Sequence, residues 1–150
     1  MIPSLIAAEM KALESFLQTL TRTPDKWLQQ LTQYCLQTPG KQIRPQLVLF
    51  AAGIWGKGIT DQARRSAALV SLLHQASLLH DDVVDMAGQR RGRSTLNANW
   101  GNPVAILLGD YLIAKALQLI TQHQDYSLMP LITATAQAMS EGELLQLSQA

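Results

Sequence analysis

At 150 residues and 16.5 kDa the chain has the length of one domain, enough to bury roughly two-thirds of its unfolded surface. Charged residues make up 15%, against about 25% in an ordinary soluble domain, which excludes charge-driven disorder, a solvated single helix and a coiled coil laced with ion pairs. Twelve basic against eleven acidic residues leave a net charge of +1, too balanced for a general nucleic-acid binder.

Taken in chain order, the sequence predicts helices throughout. Apolar residues at Leu5, Ile6, Met10, Leu13, Phe16, Leu17 and Leu20 recur at helical spacing over 2–20. Thr23-Pro24-Asp25 reads as an N-cap, a proline at the first helical position and an acid in the first turn of a second helix. That helix runs to about Leu36 and stops at Thr38-Pro39-Gly40. A third begins near Gln42, tolerates Pro45 in its first turn and ends at Gly53. Residues 53–58 form a loop, and Thr60-Asp61 caps a long helix to about Met86. Residues 88–101 read as irregular. Asn102-Pro103 caps a helix to about Gln122, and a last one opens near Ser127 and is still running at Ala150. With 25 Leu and 16 Gln against 2 Phe and 3 Tyr, this is an all-α chain of about six helices, without repeat or linker.

The apolar run 104–109 reaches six residues, well short of the 18 or so of a membrane span, so no transmembrane segment is expected. The first residues lack the basic start and apolar core of a signal peptide. A lone Cys35 excludes an internal disulfide and fits a reducing compartment, so the expected location is cytoplasmic.

The scarce charges are concentrated. Asp81, Asp82 and Asp85 are three of the eleven acids, and Arg90, Arg91 and Arg93 three of the twelve bases. Asp81 and Asp85 lie one turn apart on one face of the long helix, and His74 falls on the same stripe. Such paired carboxylates repel, and near a helix C-terminus the macrodipole disfavours them further. Carboxylate oxygens one turn apart suit Mg²⁺, which keeps waters and binds through few carboxylates plus phosphate; one Cys and scattered His do not make a zinc site. The same string also arises when aspartates simply oppose the arginines that follow, and the residues by themselves leave both readings open. Upstream, Lys41 and Arg44 stand three apart at the start of the third helix, where backbone N–H groups attract anions. Their types suit phosphate, and equally a solvated first turn.

Together these segments resemble the trans-isoprenyl diphosphate synthases, the all-α polyprenyl synthetase family. The resemblance rests on G-K-x-x-R-P at 40–45, L-H-D-D-V-V-D at 79–85, R-R-G at 90–92, Asn97, Gly101-Asn102, Gly109-Asp110 and E-G-E-x-x-Q at 141–146. Order and spacing match from about residue 35 onward, and the G-K-x-x-R-P segment argues against terpene cyclases and squalene-synthase-like enzymes.

The resemblance implies an antiparallel helical bundle of the isoprenoid synthase type. It implies a Mg²⁺-dependent reaction in which isopentenyl diphosphate adds to an allylic diphosphate such as farnesyl diphosphate. Asp81 and Asp85, with Asp82 as the accompanying acid, match the metal ligands of the first aspartate-rich motif. Arg90 matches the arginine that holds the allylic diphosphate. Lys41, Arg44, His74 and Arg91 match the positions that hold isopentenyl diphosphate. Glu141 and Gln146 resemble an acid-rich helix facing the same cavity, and Asp110 reads as structural. The family also implies a homodimer; the apolar helical residues 104–120 are a candidate interface, and their apolar faces suit the core equally. Bulky aromatics four or five positions before the first aspartate stop chain growth early in the family. Ser77 and Ala76 are small there, as in a long-chain, octaprenyl-type enzyme making quinone side chains.

Family members run to about twice this length and carry a second aspartate-rich motif. After Asp85 the acids here are Asp110, Asp125, Glu141 and Glu143, and none forms such a motif. The expectation is that residues 1–150 are the N-terminal portion of a single all-α prenyltransferase domain, holding half of its metal site and inactive by itself. The alternatives are a shorter-chain (geranylgeranyl or farnesyl) synthase and a non-catalytic partner subunit of a heteromeric one.

Overall fold

In the computed structural model, which describes residues 2–37, 40–55 and 58–149, the first helix, α1 (Ile2–Leu20), turns its buried Ile6, Leu13 and Leu17 toward one side. Seven- and four-residue spacing puts these three on one stripe, as the periodicity predicted. The cap of α2 (Lys26–Leu36) differs from expectation. Asp25, not Thr23, is the N-cap, accepting the Leu28 N–H at 2.8 Å, while Thr23 Oγ1 accepts from Asp25 N. Aspartate is among the strongest caps, and Pro24 stiffens the approach rather than opening the helix. The stop expected at Thr38-Pro39 lies outside the described residues.

α3 (Ile43–Trp55) carries Pro45 buried in its first turn, where the missing N–H has no helical partner to lose. It runs through Gly53 rather than ending there. α4 (Asp61–Val84) starts at Thr60 as predicted, the hydroxyl accepting Ala63 N at 3.2 Å. It packs most extensively on α3, and α1 lies against both. Small side chains make that approach possible: Ala67, Ala68 and Ala76 are fully buried beside Leu72. Arg64 reaches from α4 to α1 with two parallel bonds to Glu9, 2.7 and 2.8 Å, and the guanidinium holds the Glu9 carboxyl below its ordinary range.

α4 ends two residues earlier than expected. Ala87 N–H bonds the Asp82 carbonyl (2.9 Å) and Met86 N–H the Val83 carbonyl (3.2 Å), with Met86 left-handed at φ +51°. This is a Schellman ending with methionine where glycine is usual, so no glycine marks it.

Residues 88–101 are more ordered than expected. A short hairpin pairs β1 (Gln89–Arg90) with β2 (Arg93–Ser94) through the turn Arg91-Gly92, both at positive φ (52° and 76°). That is the backbone of a type I′ turn, whose second position favours glycine. Thr95 then caps α5 (Leu96–Trp100), accepting Ala98 N at 3.3 Å.

α6 (Asn102–His123) starts at Asn102 itself and buries Ala105, Leu108, Leu112, Ala116 and Leu119. Contrary to the expectation from uninterrupted runs, α6 is long and apolar enough to cross a membrane, since Asp110 and Lys115 barely dilute its mean hydropathy. The core helix of a soluble protein passes the same test. A 3₁₀ turn at Tyr126–Leu128 precedes α7 (Met129–Ser148), none of whose described residues is buried. The chain divides into two compact units, Met1–Leu119 and Ile120–Ala150. The fold class is all-α, with the hairpin its one strand feature among the described residues.

Candidate active site

Three elements of the first unit converge: the C-terminal end of α4, the hairpin after it, and the start of α3. The helix end brings a negative field of its own from unpaired carbonyls. Asp81 in the last turn and Asp85 at the C-cap add carboxylates to it. Neither has a hydrogen-bond or ion-pair partner among the described residues. Burial, and then repulsion from Asp85, hold the Asp81 carboxyl above its ordinary range. Two close carboxylates left uncompensated are an arrangement that a cation relieves.

Asp82 faces the other way. It is 5% exposed, and its Oδ1 accepts from Arg90 Nε and Nη2, both at 2.8 Å. The three aspartates therefore divide into two outward carboxylates and one that braces the hairpin. Among the described residues no three His, Cys, Asp or Glu side chains gather closely enough to hold a metal ion. Asp81 and Asp85 are hard oxygen donors that fit Mg²⁺ if water and phosphate complete the coordination.

The cationic side is equally distinct. Arg44 Nη1 lies 3.0 Å from His74 Nε2. Arginine can only donate, so the ring accepts there and is neutral, its remaining proton on Nδ1. Burial, and then the charges of Arg44, Arg91 and Arg90, hold the imidazole below its ordinary value. The Arg91 guanidinium lies directly against Gly40, where a Cβ would collide with it. The fold thus brings Arg44, His74 and Arg91 together; Lys41 is exposed, on the loop that Arg91 covers.

On α4, Ser77 is partly exposed on the stripe of Asp81 and His74, its hydroxyl donating to the His74 carbonyl at 2.9 Å. Ala76, 1% exposed, lies on the packed side. Glu141 and Gln146 are exposed on α7 in the second unit, Glu141 accepting from Gln137 at 2.7 Å.

Further side chains surround the hairpin, among them Asn97, which the motifs include without giving it a role. Asn97 donates to the carbonyls of Asp82 (3.2 Å) and Ala87 (3.1 Å), and Thr95 Oγ1 donates to Ala87 O at 2.7 Å, fastening the frayed end of α4. His80 donates from Nε2 to the Ile106 carbonyl at 3.1 Å, with Asp110 at 3.4 Å, its ring filling the space beside Gly109. Asp110 thus lies within reach of the His80 ring. The signals were present, an Asn after a cap and a Gly-Asp pair, but without the long-range contacts they had no partner.

The structure thus presents an all-α chain whose long central helix ends in paired carboxylates, with Arg44, His74 and Arg91 clustered nearby. The sequence profile of the polyprenyl synthetase family matches residues 25–150, and the chain belongs to that family. It is 35% identical over 142 residues to an all-trans-nonaprenyl-diphosphate synthase (geranyl-diphosphate specific) of Rhodobacter capsulatus, covering 95% of this chain and 44% of that one. To the octaprenyl diphosphate synthase of Escherichia coli it is 33% identical, covering 97% and 45%. The crystal structure of a polyprenyl synthase from Caulobacter crescentus, complexed with calcium and isoprenyl diphosphate, superposes with a TM-score of 0.87 at 29% identity, covering 97% and 44%. The chain spans less than half the length of these relatives.

Proposed function

We propose that residues 1–150 carry the first aspartate-rich half of a Mg²⁺-dependent trans-prenyltransferase that extends an allylic diphosphate, such as farnesyl diphosphate, with isopentenyl diphosphate. The product is a long-chain polyprenyl diphosphate of the kind attached to quinones. The protein acts as a cytoplasmic homodimer. The observation that carries this reading is the gathering of charge along one stripe at the end of α4: the outward carboxylates of Asp81 and Asp85, and before them His74 with Arg44 and Arg91 beside it.

Asp81 and Asp85 hold the metal, which when bound supplies positive charge against the departing diphosphate. Arg90, oriented by Asp82, turns its remaining N–H groups to the allylic diphosphate and stabilises the charge that grows as the C–O bond breaks. The electron pair leaves with diphosphate. Lys41, Arg44, His74 and Arg91 hold isopentenyl diphosphate so that its double bond attacks the allylic carbon. The proton lost from the new cation passes to the diphosphate. The apolar side of α4 excludes water while the cation lives.

The test is incorporation of radiolabelled isopentenyl diphosphate by the 150-residue chain, by itself and after fusion to the missing half of a relative. No turnover by the chain and recovery in the fusion are expected; a silent fusion rejects the reading. Activity restored only by mixing with a separate polypeptide assigns the chain to a heteromeric synthase. In the active fusion, Ser77→Phe shortens the product seen by chromatography, because the ring stands on the open stripe below Asp81. Ala76→Phe does the same at a greater cost in stability, since that position is packed. Unchanged products would reject the chain-length argument.

A further inference from the structure

A ladder of two residues a side does not hold a hairpin in water. This hairpin also keeps Arg91, which has a Cβ, at φ +52°, a conformation costing about 1–2 kcal/mol for a non-glycine residue. External groups must therefore hold it. On the β1 side that group is Asp82, through Arg90.

On the β2 side it is Tyr34 of α2, a residue that none of the sequence motifs includes. Its hydroxyl donates to the Ser94 carbonyl at 2.7 Å and accepts from Asn99 Nδ2 at 3.0 Å, so one oxygen joins β2 to α5. The Arg93 guanidinium lies 3.7 Å from the ring centre, within cation–π range. The Trp100 ring meets Tyr34 edge-on, with centroids 4.9 Å apart and planes at 76°. Tyr34 thus grips the hairpin by backbone and by side chain from the strand opposite Arg90. The turn it steadies bears Arg91, whose guanidinium lies over Gly40 and beside the Arg44–His74 pair.

From this juxtaposition we infer that Tyr34 is a positioning residue: by clamping β2 it aims Arg91 at the diphosphate of isopentenyl diphosphate and sets the affinity for it. The inference rests on the reading of Arg44, His74 and Arg91 as the site of that diphosphate.

The test is calorimetric titration of isopentenyl diphosphate into the 150-residue chain, with circular dichroism to check the fold. Tyr34→Phe removes both hydroxyl bonds and keeps the ring; its Kd rises about threefold. Tyr34→Leu also removes the surface under Arg93; its Kd rises about tenfold. Trp27→Leu, an exposed aromatic on the same helix, leaves Kd unchanged. The deciding measurement repeats both Tyr34 substitutions in an Arg91→Ala background. A residue acting through Arg91 then has no further effect, whereas a general loosening of the fold adds its full cost. Additive losses overturn the inference, as does an unchanged Kd in the Phe and Leu variants when the parent chain binds. If the parent chain binds no isopentenyl diphosphate, the reading of the site itself falls. Should Tyr34→Leu lose helical signal, Tyr34→Phe in the two backgrounds decides the matter.

Discussion

Three aspartates of identical chemistry stand within five residues, yet their surroundings give them different work. Asp82 is buried against Arg90, so Asp82→Ala strands the guanidinium and frees the hairpin. It should lower stability by about 2–4 kcal/mol, the scale for breaking a largely buried charged pair, as a shift in the urea midpoint. Asp81→Ala instead removes one of two mutually repelling carboxylates. It should leave the midpoint unchanged or raised while weakening Mg²⁺-dependent ligand binding. Equal destabilisation by the two substitutions would reject the division of roles. His74 makes the residue scale pH-dependent. Its folded value lies below the ordinary 6.5, so the unfolded chain binds more protons as pH falls through 6.5 toward the folded value. Stability is therefore full above about 6.5 and is lost on acidification through that window. His74→Gln should flatten the melting temperature against pH there. A bound diphosphate reverses the balance by favouring the imidazolium, so binding takes up a proton and tightens as pH drops, which calorimetry in buffers of different ionisation enthalpy would show.

At the scale of the element, the end of α4 decides where the site stands. Met86 occupies the left-handed position of a Schellman ending and is 86% exposed. Met86→Gly should raise stability by about 0.5–1 kcal/mol, because glycine takes that conformation without the Cβ penalty; a fall in melting temperature would contradict the assignment. The same element shows what a sequence can and cannot disclose. The start of α4 was readable because Thr60 announces a cap through its own side chain. Its end was not, because the cap consists of backbone bonds from Met86 and Ala87. The hairpin was hidden for a related reason: two-residue strands have no alternation to detect, and Arg91-Gly92 is an uncommon pair for a type I′ turn. The candidate site divides along the same line. Asp81, Asp85, Arg44 and Arg91 were visible as residue types at the right spacing. That Asp82 turns inward, and that Tyr34 reaches Ser94 from sixty positions away, depends on contacts no local pattern encodes.

For the whole molecule, the contrast lies between the two units. Residues of the first bury leucines and alanines from six helices, and burial pushes the Cys35 thiol up to about 12. The second contains a 20-residue helix with no buried described side chain and with Leu131, Leu144, Leu145 and Leu147 exposed. Most helices in proteins take their stability from packing of an apolar face, and α7 buries none of its described side chains. Hydrogen exchange on the 150-residue chain should show α7 amides exchanging orders of magnitude faster than those of α4, and Cys35 should react with a disulfide reagent only when the first unit opens. Strong protection throughout α7 would mean that its apolar surface is covered in solution.

The close approach of Arg91 to Gly40 has a genetic consequence. Every missense change of a glycine codon supplies a Cβ, and at this position that atom meets the far end of a flexible arginine rather than the backbone. To admit it, the guanidinium of Arg91 has to move off Gly40. Such an allele would therefore displace a member of the cationic cluster rather than a residue of the core. On the function proposed above, a screen for diphosphate binding would find such alleles more surely than a screen for abundance or solubility.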